Sequence, residues 1–187
     1  MLHEKGKLGI RNVLRDRDNS LWEKLEKIWS KSYVELEEPE LALSHSIAVE
    51  QNVSLLIPDQ WKLEKFYPLE LFALSAASCL HDIDKGLGTF KKLHGEVSAG
   101  EIRIHFSKYG LDAGEADIIG WIIKVHDHGD FSFDLPEDPI VIGALELNIK
   151  PLAALFRLAD ILHADYRRID SAKAINPKDR ARYCIRG

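Results

Sequence analysis

From Pro68 to Leu80 the chain reads Pro-Leu-Glu-Leu-Phe-Ala-Leu-Ser-Ala-Ala-Ser-Cys-Leu, with Glu70 its single charge. A proline fits the first turn of a helix, where its missing N–H would have had no partner in any case. A helix that is apolar on nearly every side has to be covered on nearly every side. The run falls short of the roughly 20 apolar residues that cross a bilayer. It therefore predicts a central helix wrapped by others, and that helix delivers His81 and Asp82 at its C-terminal end.

The remaining pattern supplies the wrapping. Residues 1–19 are polar and predict irregular chain, after which Ser20-Leu21-Trp22-Glu23 offers a capping box. Leu21, Leu25, Ile28 and Trp29 then recur at helical spacing. Leu41, His45, Ala48, Val49, Asn52, Val53 and Leu56 share one face of a second helix that stops by Pro58, so a histidine faces inward. A further helix runs from His94 through Val97, Ala99, Ile102, Phe106 and Tyr109 to a glycine stop at Gly110. Asp112 and Glu115 form a second capping box, and Ile118, Ile119, Ile122, Ile123 and Val125 carry that helix to His126. Asp127 to Pro139 predicts a loop, and Ile140-Val141-Ile142 fits either a short strand or a helix start. Pro151 opens a last helix that buries Leu152, Leu155, Phe156, Ala159 and Leu162, with Asp160 beside that stripe. With no alternating strand series, internal repeat or low-complexity tract, the fold class is all-α and single-domain.

Composition narrows the partners. At 187 residues and 45% hydrophobic, the chain can bury a core, which excludes a disordered tail or a disulfide-dense module. Its 25 basic and 30 acidic side chains give a net charge of −5, without the basic excess that holds duplex DNA by its phosphates. Cys79 and Cys184 predict reduced thiols, and no export or membrane signal stands at the charged N-terminus, so the expected location is cytoplasmic. The four tryptophans, Trp22, Trp29, Trp61 and Trp121, predict packing residues rather than base-stacking platforms. An apolar segment begins at Tyr183-Cys184-Ile185 just before the chain stops, which suggests a piece of a longer protein with further domains.

His45, His81, Asp82, His94, His126, His128 and Asp160 are the chemically informative residues. They lie at the ends or on the inner faces of five predicted helices. Imidazoles and carboxylates make a mixed nitrogen and oxygen ligand set, suited to Mn, Fe, Co, Ni or Zn rather than to thiolate-seeking metals. Neighbours in a regular helix point roughly 100° apart, so His81 and Asp82 converge best at a helix end. Taken singly, His45 and Asp160 read as satisfied polar residues at a helix surface. Likewise His94 reads as a helix-start residue and His126 as a cation favoured by a helix C-terminus.

The ordered set of His45, His81-Asp82-Ile83-Asp84-Lys85, His94, His126 and Ala159-Asp160 resembles the HD phosphohydrolase superfamily over residues 45–165. The resemblance implies an HD-type helical bundle in which His45, His81, Asp82 and Asp160 hold a first divalent metal and Asp82 bridges to a second. It assigns His94 and His126 to that second metal, as in the two-metal subgroup that includes HD-GYP phosphodiesterases and CRISPR-type HD nucleases. His94-Gly95-Glu96-Val97-Ser98-Ala99 is closer to the CRISPR-type pattern. His126-Asp127-His128 departs from the adjacent histidines of the HD-GYP type, and the Gly-Tyr-Pro element is missing, which argues against cyclic di-GMP as substrate. His128 or Asp127 would complete the second site. The sequence also resembles HD domains that accompany other modules in bacterial conflict and stress systems.

These implications define the expected organisation and chemistry. Residues 1–40 form a polar arm and amphipathic helix packed on the core, 41–170 the catalytic domain, and 171–187 a tail. The expected cofactor is one or two divalent metals (Mn, Fe, Ni, Co, Zn or Mg), and the reaction is phosphoester hydrolysis by a metal-activated water. Asp82 and Lys85 are the expected catalytic residues, with Lys85 and Arg157 as phosphate contacts. Plainer roles are a solvated lysine for Lys85 and, for Arg157 and its neighbours His163, Arg167 and Arg168, structural pairing. A nucleotide, cyclic nucleotide or single-stranded nucleic acid is the expected substrate, and no membrane is expected as a partner. A helical regulatory module that senses or stores a metal without turnover is the rival function, and ordinary histidines with no metal are the third possibility.

Overall fold

The structure is a computed structural model that describes residues 8–31, 39–83, 94–126 and 135–163. Its elements are α1 (Ile10–Arg17), α2 (Asn19–Lys31), α3 (Pro39–Leu56), α4 (Asp59–Glu64), α5 (Pro68–Leu80), α6 (His94–Ile104), α7 (Ala113–Lys124), β1 (Ile140–Ile142), β2 (Leu145–Leu147) and α8 (Ile149–Leu162). Among the described residues, the fold is all-α but for one two-stranded hairpin. As the apolar run requires, α5 sits at the centre, and every residue from Glu70 to Leu80 is buried. It packs against α1, α2, α3, α7 and α8. Its start is held by the Glu70 carboxylate, which accepts the Tyr67 N–H at 2.8 Å.

The N-terminal part is more regular than its polarity suggests. Ile10, Val13 and Leu14 are buried at i, i+3 and i+4, forming the core-facing stripe of α1. The cap of α2 is Asp18, whose carboxylate accepts the Leu21 N–H at 3.0 Å, so Ser20 lies inside the helix rather than at its start. A chain of polar contacts ties this layer to the core. Arg11 lies over the Trp29 ring and donates to Glu50 at 2.8 Å, Trp29 Nε1 donates to Ser75, and Ser75 donates to Glu50. Burial raises the Glu50 carboxyl above its ordinary value, although Arg11 and Ser75 pull it down.

The long helix expected from His94 to Gly110 divides. α6 ends at Ile104, a 3-10 turn follows at Phe106–Tyr109, and Gly110 closes it in the left-handed region at φ 71°. The box at the start of α7 forms as expected, with Asp112 and Glu115 each accepting the other's backbone N–H at 2.9 Å. The strand alternative for Ile140–Ile142 holds: Ile140 pairs with Leu147 and Ile142 with Leu145 around Gly143, whose φ is 60°. Asp138 then caps α8 from a distance, accepting the N–H groups of Ile149 and Lys150 at 2.8 and 3.1 Å. Of the tryptophans, Trp29 is buried, but Trp61 is 54% exposed and lies outside the core. Among the described residues, no helix is long and apolar enough to cross a membrane.

Candidate metal centre

Three histidines and two aspartates from four helices and their ends meet beside the C-terminus of α5, and a fourth histidine joins them from α6. His45 comes from the middle of α3, His81 caps α5 with Asp82 following it, His94 opens α6, His126 follows α7, and Asp160 lies in the last turn of α8. His45, His81 and His126 are buried, and Asp82 and Asp160 keep slight exposure.

The cluster has two adjoining halves. In the first, His45 Nε2 stands 2.9 Å from His81 Nε2 and 3.2 Å from Asp160 Oδ1, while His81 Nε2 is 3.7 Å from that oxygen. In the second, His126 Nε2 stands 2.8 Å from His94 Nε2. Asp82 spans the two. Its Oδ2 lies 3.4 Å from His81 Nε2 and 3.6 Å from His45 Nε2, and its Oδ1 lies 3.6 Å from His94 Nε2. The rings of His81 and His126 meet edge to face at 5.2 Å, so the halves are continuous. Phe156 of α8 packs edge-on against both rings.

Hydrogen bonding on the far side of the rings decides which nitrogens carry lone pairs. His81 Nδ1 contacts the Ser78 carbonyl at 3.1 Å and His126 Nδ1 contacts the Ile123 carbonyl at 2.6 Å. A carbonyl only accepts, so both Nδ1 atoms are protonated, and in the neutral ring each Nε2 presents a lone pair to the cluster. Burial, reinforced by the neighbouring His81, lowers the His126 basicity and favours that neutral form. Burial alone would raise the Asp160 carboxyl, but the imidazoles of His45, His81 and His126 gathered around it outweigh burial and hold the group well below the usual carboxylate range.

Donor atoms sharing one ion at about 2.1 Å stand about 3–3.5 Å apart, close to the spacings found here. Asp160 Oδ1 is a buried oxygen that accepts no hydrogen bond of good geometry among the described residues, which is what a cation ligand leaves behind. Two sets have the geometry to hold an ion, His45 with His81 and Asp160, and His81 with Asp82 and His126. The nitrogen and oxygen donors suit a borderline divalent metal.

The family is decided by the chain's own pattern: the HD-CE family model matches residues 39–182. The chain belongs to the HD-CE family. The match takes in every helix that carries the cluster, from α3 to α8, and leaves α1 and α2 outside it. No curated protein and no solved structure matches the chain. HD-CE is an HD-type family, in agreement with the ordered histidines and aspartates of the sequence.

The expected residues fare as follows in this HD-CE chain. The structure gathers His45, His81, Asp82, His94, His126 and Asp160. Asp84, Lys85, Asp127, His128, Arg167 and Arg168 lie outside the described residues, as does the tail 171–187. Arg157 is half-buried on α8, one turn before Asp160. His163, expected only to pair structurally, is at the cluster: its Nδ1 lies 2.8 Å from His45 Nδ1. The available signal was its spacing, since a residue three after Asp160 falls on the same helical side. Asn52 is a second such contributor. Its side-chain amide donates to the Ala159 carbonyl at 2.9 Å, tying α3 to α8 one residue before Asp160.

Proposed function

We propose that this protein is a metal-dependent phosphohydrolase that cleaves a phosphoester of a nucleotide, cyclic nucleotide or single-stranded nucleic acid. The observation that carries the proposal is the division of Asp82, with one carboxylate oxygen turned to His45 and His81 and the other to His94. A carboxylate so placed suits two cations side by side, the arrangement that clamps both the attacking and leaving oxygens of an in-line displacement. When bound, a divalent metal supplies Lewis-acid stabilisation of charge developing on the phosphoryl group and makes the attacking water more acidic.

The chain's own residues prepare the place for it. His45, His81, Asp82 and Asp160 would hold the first ion, and Asp82, His94 and His126 the second. The carbonyls of Ser78 and Ile123 fix two of the rings in the ligand tautomer before any metal arrives, so little reorganisation is needed on binding. Phe156 closes the apolar side of the cluster. Lys85 and Arg157 are the proposed phosphate contacts.

The test is hydrolysis of bis-p-nitrophenyl phosphate and of a panel of nucleotides, cyclic nucleotides and single-stranded DNA, in the presence of Mn or Ni. Turnover that requires the added metal and is abolished by a chelator is expected. Stoichiometric metal binding with no turnover on any substrate would contradict hydrolysis and favour the sensing module.

A further inference from the structure

Three rings in the cluster have their Nδ1 positions accounted for, and they are not alike. His81 and His126 each face a backbone carbonyl three residues earlier in the chain. His45 sits in the middle of α3, where the carbonyls of its own helix are engaged in the helical ladder, and its Nδ1 instead faces a side chain, His163 Nδ1 at 2.8 Å. The two rings lie 4.9 Å apart, tilted by 36°. His163 is the residue that ends α8, where the helix closes with its N–H bonded to Asp160 and Ile161. One turn of helix therefore presents both Asp160, on the Nε2 side of His45, and His163, on its Nδ1 side.

We infer that His163 is a positioning residue for the metal centre: its Nδ1 accepts the proton carried on His45 Nδ1 and so keeps the His45 Nε2 lone pair directed at a divalent cation. The inference rests on the metal-centre function proposed above. A neutral imidazole has one N–H and one lone pair, so the partner of one nitrogen dictates the state of the other. Were His163 to donate instead, His45 Nε2 would carry the proton, with a sound partner in the His81 Nε2 lone pair 2.9 Å away. An imidazole can fill either role and a carbonyl can fill only one. His163 thus satisfies His45 both with and without a cation, and α8 supplies a ligand and the support for another ligand from a single turn.

The experiment uses the whole chain and Zn²⁺ alone as probe. Calorimetric titration is run on wild type, His163→Ala and His163→Asn, the last because its side-chain oxygen takes the place of Nδ1 as acceptor. Long-range ¹H–¹⁵N spectra of the Zn-loaded proteins read the His45 tautomer, and thermal melts monitored by circular dichroism confirm that each variant is folded. The expected result is a loss of about 10–100-fold in Zn affinity for His163→Ala with the number of sites unchanged. Recovery of most of the affinity in His163→Asn and a His45 protonated at Nδ1 in loaded wild type complete the expectation. Equal affinity in wild type and His163→Ala overturns the inference while leaving the metal centre intact. A site lost in both variants also overturns it, because His163 would then be a ligand itself. Wild type that takes up no Zn overturns the metal centre and the role of His163 together.

Discussion

Asp82 and Glu70 show how differently two carboxylates of one segment are used. Asp82 follows the helix end, where the turn frees it to stand between His45, His81 and His94. Replacing it by alanine removes the group shared by both halves. The expected outcome is a lower metal content by elemental analysis and at least about a hundredfold loss of metal-dependent hydrolysis, with the fold kept. Glu70 sits at the other end of α5, accepting the Tyr67 N–H. Burial raises its carboxyl above the ordinary value despite that hydrogen bond. The folded chain therefore holds this proton more tightly than the unfolded one. The contribution to stability is fully present below about pH 4.3, the unfolded value, and is lost as the pH rises through the folded value. Glu70→Gln keeps the acceptor and drops the charge. Thermal melts should show the variant ahead of wild type at pH 7 and level with it near pH 4, and a lower melting temperature at both would contradict the assignment.

At the scale of elements, the site depends on α3 and α8 keeping their relative position. The last carbonyls of a helix have no partner within it, and Asn52 of α3 serves one of these, the Ala159 carbonyl of α8. Asn52→Ala should cost about 1–2 kcal/mol in denaturant unfolding, since it strips a half-buried acceptor of its donor, and should also weaken metal binding. Unchanged metal affinity with the stability loss present would show that Asp160 and His163 are held in place by packing alone. The helices themselves were largely legible, because proline and glycine punctuation and capping boxes are local signals: α5 and α7 form where Pro68 and Asp112 place them. The ligand set was legible for a related reason, since His81, Asp82, His94, His126 and Asp160 stand at or near the ends of strongly patterned helices and His45 falls on the apolar face of α3. What stayed hidden is contact between elements. Nothing local says that the last turn of α8 comes beside the middle of α3, so His163 reads as an ordinary charged neighbour. Likewise α1 offers only Ile10, Val13 and Leu14 among polar residues, a stripe that becomes helix-forming when the rest of the core is there to cover it.

On the scale of the whole molecule, α1 and α2 lie outside the HD-CE match yet are joined to the core by charge as well as by apolar packing. Glu50 is buried on α3 and Arg11 reaches it from α1. Arg11→Ala leaves that carboxylate without its cation and should cost about 3 kcal/mol, the low end for breaking a buried pair because Arg11 itself keeps some contact with water. Adding Glu50→Gln should restore much of the loss in urea unfolding, and a double variant no more stable than the single one would show that Arg11 acts by packing over Trp29. The centre these layers enclose is most directly tested by locating an ion in it. Crystals soaked in Mn²⁺ and measured across the Mn absorption edge should show anomalous density within about 2.3 Å of the Nε2 atoms of His45 and His81 and of oxygens from Asp82 and Asp160. A saturated crystal with no density among those atoms, or with the ion bound elsewhere on the chain, would contradict the account.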